Sequence, residues 1–114
     1  MSELTLNTDP VGDVAVFVPA GRIDSQTSKM FEEAVLAQIA DGSTRMVFDF
    51  SDLAYISSAG LRVVLLAGKR LRAAGGKLVL ANLQPAIREV FEISGFLGLF
   101  TVTEDRDAAV AAAA

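Results

Sequence analysis

Two adjacent hydroxyls, Ser57 and Ser58, stand in the segment Ile56-Ser57-Ser58-Ala59-Gly60. Before them lies a compact apolar run, Met46 to Phe50, and after them Leu61, Val64, Leu65, Gly68 and Leu71 recur at helical spacing. The serines therefore fall where a helix begins. The first turn of a helix presents unpaired backbone N–H groups and the positive end of the helix dipole. A serine in that position has two chemistries open to it. Its oxygen can cap the helix, a role that contributes about 1 kcal/mol. Alternatively it can carry a phosphate, which adds roughly −1.5 to −2 charge where the dipole accommodates it. The residues alone favour the cap.

Few other side chains offer chemistry. The chain has no histidine and no cysteine, which removes the commonest general base, the commonest metal ligand, thiolate chemistry and any disulfide framework. Asp24 and Asp52 each fall near a turn and invite an acid/base reading. Without a metal cluster or a nucleophile–base pair they read better as cap and turn residues, and no active site, cofactor or metal is expected. Gly75-Gly76-Lys77 is followed by leucine and leads into a strand, so it is not a phosphate-binding loop, which needs G-x-x-x-x-G-K-[ST] before a helix. Arg62, Lys69, Arg70 and Arg72 read as a solvated helix face, with Arg62 one turn from Ser58 and the best placed of the four for partner contact.

The elements that must position these residues follow from patterning. Leu4 and Leu6 alternate with polar residues, and Val14 to Val18 is a β-run stopping near Pro19, which cannot donate to a ladder. The turn cluster Asp9–Asp13 between them suggests a hairpin. Gly21 to Ser25 reads as a polar crossing, with Asp24 or Ser25 as the cap of a helix from about Thr27 to Ala40 that buries Phe31, Val35 and Ile39. Gly42 suits a left-handed stop. The Met46–Phe50 strand and a helix from the serines to Ala73 or Ala74 follow. After Gly75-Gly76 come a strand from Lys77 to Ala81, a helix from Pro85 to Ile93, a short strand near Phe100 to Val102, and an alanine-rich helix opened by Glu104-Asp105 that frays past Val110. Phe91, Phe96 and Phe100 are expected in the core. If Phe96 or Leu97 is exposed, the turn after the third helix becomes an apolar contact patch.

Strands alternating with helices predict an α/β fold with a mixed, mainly parallel sheet of four to five strands and about four helices. At 114 residues a single domain over 1–114 is expected. A content of 52% hydrophobic against 21% charged residues is too apolar for a disordered chain, and a net charge of −4 argues against direct nucleic-acid binding. The start of the chain lacks a signal-peptide pattern and no apolar run is long enough for membrane insertion, so a cytoplasmic location is expected.

The stretch Asp52-Leu53, then Tyr55-Ile56-Ser57-Ser58-Ala59-Gly60-Leu61-Arg62-Val63-Val64-Leu65-Leu66, resembles the STAS domain of bacterial anti-sigma factor antagonists. Gly21-Arg22-Ile23-Asp24, Gly75-Gly76-Lys77-Leu78-Val79-Leu80, and Pro85 to Phe91 with Ser94-Gly95-Phe96 extend the likeness, in order, over nearly the whole chain. The resemblance implies partner switching. An anti-sigma factor that is also a serine kinase binds the unmodified antagonist and phosphorylates it, and a phosphoserine phosphatase resets it. The family motif reads Asp-Ser-Ser/Thr-Gly. Aligned on Gly60, the acceptor is Ser58, the aspartate position is Ser57 and the second hydroxyl position is Ala59. Ser57 is thus a competing acceptor, though it reads better as a loop or capping hydroxyl. The contact surface implied comprises Gly21, Asp24, Ser57, Gly60 and Arg62 around Ser58, with Gly60 also suited to close packing. Two alternatives stay open: a STAS scaffold or accessory subunit without phosphate, for example of a lipid transporter, and a small-ligand or nucleotide sensor.

Overall fold

Alternation of apolar side chains divides the chain between the two faces of a six-stranded mixed sheet. The computed structural model describes residues 3–114, so Met1 and Ser2, the first residues of the segment read as lacking a signal pattern, lie outside the described residues. β1 (Leu4–Thr8) and β2 (Val14–Ile23) form the expected antiparallel hairpin, with Leu4 opposite Gly21 and Thr8 opposite Phe17. β3 (Arg45–Asp49), β4 (Leu53–Ile56), β5 (Lys77–Ala81) and β6 (Thr101–Thr103) add parallel pairings. The order is β1-β2-β3-β5-β6, and β4 pairs with β2 beyond the end of β3. The helices are α1 (Ser28–Ala40), α2 (Ser58–Ala73), α3 (Pro85–Ile93) and α4 (Arg106–Ala113), and a 3₁₀ turn covers Leu97–Leu99.

β3 shows how the faces are filled. Met46 and Phe48, with Phe50 just beyond the strand, point to the face covered by α1, α2 and α3, while Val47 joins Val16, Val18 and Val79 on the face covered by α4. On the first face, aromatic rings run in contact from Phe17 and Phe31 through Phe48 and Phe50 to Phe91 and Phe100, with centroids 5.2–6.4 Å apart. On the second, only small side chains fit beneath α4, and Ala109 and Ala113 are fully buried there.

Three expectations need correction. The sheet has six strands rather than four or five, because the polar break after β3 contains β4. Its burial runs buried, exposed, exposed, buried, so no period-two signal marks it. β2 does not stop at Pro19 but continues to Ile23. The Gly21 N–H donates to the Asp52 carbonyl at 3.1 Å, so the Pro19 nitrogen, two residues earlier, points to the same side. There it falls between the end of pairing with β3 at Phe17 and the start of pairing with β4 at Gly21, where no donor is needed. Finally, α4 does not fray past Val110. Ala113 packs on the sheet, and the Lys77 ammonium donates to the Ala112 carbonyl at 2.9 Å.

The start of α4 is tied down by charge. Arg106 donates through Nε to Asp49 (2.9 Å) and through Nη1 to Asp9 in the hairpin turn (2.6 Å). Asp49, buried at the end of β3, also accepts from the Asn82 side chain and the Ser51 N–H, each at 3.0 Å. Burial alone would push the Asp49 carboxyl up; the bonds from Asn82, Ser51 and Arg106 outweigh it and hold the group below its ordinary value of 3.8. A carboxylate depressed in the folded state stabilises the protein above its unfolded pKa, and that contribution disappears as pH falls through the folded value. Urea unfolding should therefore show wild type losing stability below about pH 4 more steeply than Asp49→Asn. Arg106→Ala should cost about 2 kcal/mol at neutral pH, with hydrogen exchange accelerated most in α4.

Candidate functional site

At the far ends of β2 and β4 the two strands run side by side, with Arg22 opposite Tyr55 and Ile23 opposite Ile56. The Ser57 N–H donates to the Ile23 carbonyl at 2.8 Å, which extends the pairing by one step before the chain turns into α2. Ser57 keeps an extended backbone (φ −90°, ψ 175°) and its Oγ accepts from the Gly60 N–H at 3.2 Å. Ser57 is therefore the N-cap. The capping role weighed for Ser58 belongs to its neighbour. Ser58 is the first helical residue, its side chain is exposed, and its hydroxyl bonds to no described residue.

Gly60 is what lets α2 start so close to the strands. A Cβ there would lie 2.6 Å from Ile23 Cγ2 and 2.8 Å from Ile56 Cγ1, and both isoleucines are buried. Gly60 is itself buried, so it shapes the surface around Ser58 from beneath rather than forming part of it. Gly21 acts similarly one layer away. Its φ of +107° falls at the register shift between β2 and β4, and a Cβ would meet the Glu3 carbonyl oxygen at 2.6 Å.

Asp24 organises the turn from β2 into α1. Its Oδ1 accepts from the N–H groups of Gln26 (2.9 Å) and Thr27 (3.1 Å), while the Thr27 hydroxyl accepts from the Asp24 N–H (2.9 Å) and donates to the Arg22 carbonyl (2.8 Å). Thr27, the residue before α1, makes no side-chain cap bond; the bonds expected of Asp24 are made one turn earlier, where its Oδ1 takes those two N–H groups and its carbonyl takes the Ser28 N–H, while Ser25 makes none among the described residues. Asp24 Oδ2 lies 3.9 Å from Arg22 Nε, and the Arg22 guanidinium stacks 4.3 Å over the Tyr55 ring. Arg22, Tyr55 and Thr27 were not foreseen as parts of this region. Only the pairing of β2 with β4, distant in sequence, brings Arg22 and Tyr55 together.

Arg62 is exposed one turn along α2 from Ser58, and Asp52 is exposed in the turn before β4. Phe96 and Leu97 are partly buried against the core, whereas Ile93 (78% exposed) and Leu99 (58%) face solvent. Among the described residues no group of three or more His, Cys, Asp or Glu side chains is placed to hold a metal ion, and no helix is long and apolar enough to cross a membrane. The arrangement presents one accessible hydroxyl at the positive end of a helix.

The two serines should separate in stability measurements. Ser57→Ala loses the cap and should cost about 1 kcal/mol, while Ser58→Ala should stay within about 0.5 kcal/mol of wild type. Gly60→Ala forces a methyl between Ile23 and Ile56 and should cost about 1–3 kcal/mol. Urea midpoints of the three variants check all of this.

Comparison with known proteins bears on the family and the fold. Residues 5–109 match the STAS domain family model. A Bordetella bronchiseptica protein that bears the name anti-sigma factor antagonist BtrV is 46% identical over 109 residues, covering 96% of this chain and 94% of its own. The anti-sigma-B factor antagonist of Listeria monocytogenes is 32% identical over 90 residues, covering 78% and 77% of the two chains. Among solved structures, an anti-sigma factor antagonist from Mycobacterium paratuberculosis superposes with a TM-score of 0.84 over 97% of this chain and 94% of that one, at 24% identity, which speaks for the fold. By family match and by relatives, the chain belongs to the STAS domain family of the anti-sigma factor antagonists.

Proposed function

We propose that this chain is an anti-sigma factor antagonist, a binding module rather than an enzyme, whose hold on an anti-sigma factor is switched by phosphorylation of Ser58. The observation that carries the proposal is the division of labour between the serines: Ser57 Oγ is spent on the Gly60 N–H, whereas the Ser58 hydroxyl is exposed and unbonded among the described residues. The names of the relatives support the antagonist role. The partner is an anti-sigma factor with serine kinase activity, a phosphoserine phosphatase reverses the modification, and the exchange takes place in the cytoplasm.

The physical switch is local. Phosphate adds roughly −1.5 to −2 charge and three acceptor oxygens at the first residue of α2, where the helix dipole offsets part of the charge. The fold is unchanged, and it is the partner that responds. A surface packed against a neutral hydroxyl, with Asp24, Ser57 and Arg62 around it and Gly21 and Gly60 beneath, meets bulk and negative charge instead. A second reading, a STAS scaffold that never carries phosphate, draws on one observation: Ser57 stands where the family motif has aspartate.

Affinity capture from native extract with wild type, Ser58→Ala and Ser58→Asp, followed by mass spectrometry of the bait serines, separates the two. Wild type and Ser58→Ala should retain a kinase-type partner that Ser58→Asp loses at least tenfold, with phosphate on Ser58. The same partner on all three baits, with neither serine modified, would establish the scaffold reading.

A further inference from the structure

Helix α2 carries a surface that continues from the Ser58 region to the opposite end of the helix. Ser58, Arg62, Leu65, Lys69 and Arg72 follow one another at alternating spacings of four and three, so they form one stripe along the helix. At 1.5 Å per residue the stripe is about 21 Å long. Its distal half borders a groove of about 320 Å³ between α2, the start of β5 and the approach to β6. Leu65, Leu99 and Phe100 give the groove an apolar wall, and Lys69, Arg72 and Lys77 give it a basic rim. Gly68 keeps it open, since a Cβ there would already lie 3.3 Å from the Phe100 ring.

The charge on this surface is one-sided. The chain carries a net charge of −4, yet α2 holds four cations and no acid. Arg62, Lys69 and Arg72 are exposed, and none forms a salt bridge with a described residue. No acidic side chain lines the groove. Lys77 donates to the Ala112 carbonyl, which fixes one end of the rim. Within the groove, Leu99 is 58% exposed, an apolar side chain in solvent beside uncompensated cations. A small anion would fit the groove but could not reach Arg62, which lies about 10 Å along α2 from Lys69. An extended chain bearing several carboxylates and an occasional large apolar residue matches the whole stripe.

We infer that the α2 stripe and its groove dock an acidic segment of a protein partner. Carboxylates pair with Arg62, Lys69 and Arg72, and one apolar side chain seats against Leu65, Leu99 and Phe100. This rests on the reading of the chain as a partner-binding module and lengthens that partner's footprint from Ser58 to the opposite end of α2. Contact at the distal end lets a partner remain tethered while the Ser58 end is modified, since the two ends are separated by more than a screening length of about 8 Å at physiological salt.

The test uses the full chain and a fluorescein-labelled peptide of glutamates interrupted by leucine and phenylalanine, read by anisotropy and by amide shifts in nitrogen-15 spectra. The glutamate peptide should bind at least tenfold more tightly than its glutamine counterpart, weaken with added salt, and shift amides of Leu65, Lys69, Leu99 and Thr101. Lys69→Glu/Arg72→Glu should weaken it at least tenfold. Lys69→Gln/Arg72→Gln, which avoids placing acid at the helix C-terminus, should lose affinity in the same direction, and Ser58→Asp, which reaches only the Arg62 end of the stripe, should weaken binding less than either double exchange. Equal binding of the glutamine peptide, or shifts away from the groove, would overturn the inference. So would dodecanoate, a small anionic amphiphile, if it filled the groove and displaced the peptide without being affected by Arg62→Gln. The two proposals fail separately: loss of peptide binding leaves the Ser58 capture result standing, and an unmodified Ser58 leaves the groove standing.

Discussion

The contact on which the rest of this structure depends is the close approach of α2 to the ends of β2 and β4. Gly60 has no side chain because Ile23 and Ile56 already occupy the space a methyl would need. Those two residues are buried side by side, and each holds its own strand's end in register with the other. The approach sets the phase of the helix. Gly60 must face inward, so Ser57, three residues before it, is placed to receive its N–H. Ser58 is then rotated outward. An exposed hydroxyl at the first residue of α2 is thus a consequence of where the glycine packs, not a separate feature.

The polar interactions divide the sheet's two ends in a similar way. At the end near α4, a buried carboxylate is satisfied by an amide, a backbone N–H and a guanidinium, and charge there serves stability. Along α2 the cations have no such partners among the described residues, although acidic residues outnumber basic ones in the chain as a whole, 14 to 10. An uncompensated basic helix in an acidic chain gains little for folding, since solvent screens exposed charges. Its consequence is for association, where like-signed charges along one face orient an oppositely charged partner.

Legibility in the sequence followed the range of the interactions. β3, β5 and α3 were readable because their patterns are local: apolar runs of strand length, and Pro85 at the first helical position. Gly42 and Gly75 likewise show the positive φ that a helix stop needs, at +105° and +79°. β4 was not readable, because its two central residues face solvent and its only strand-like feature is a partner more than thirty residues earlier in the chain. The same pairing hid the continuation of β2 past Pro19 and the stacking of Arg22 on Tyr55. Around the serines, the helix start was legible but not its phase. One residue of phase separates a cap from a free hydroxyl, and that residue is decided by tertiary packing at Gly60.

The exchange of the motif's aspartate for Ser57 acquires a physical meaning from this geometry. An aspartate at the N-cap and a serine at the N-cap both offer an oxygen to the third helical N–H, so the cap survives the exchange. What changes is charge. The first turn of α2 contains no acidic residue, so its positive end is not offset by any carboxylate of its own before modification. A phosphate arriving at Ser58 would then meet the helix dipole without a neighbouring carboxylate to repel it. The folded state would bear that phosphate at lower cost than a chain with aspartate in the adjacent position. The Ser57–Ser58 pair itself would pass from neutral to roughly −2, rather than from −1 to roughly −3 as an aspartate–serine pair would. Under the proposed switch, loss of the acidic neighbour would therefore leave the mechanism physically intact and place its whole signal on a single side chain.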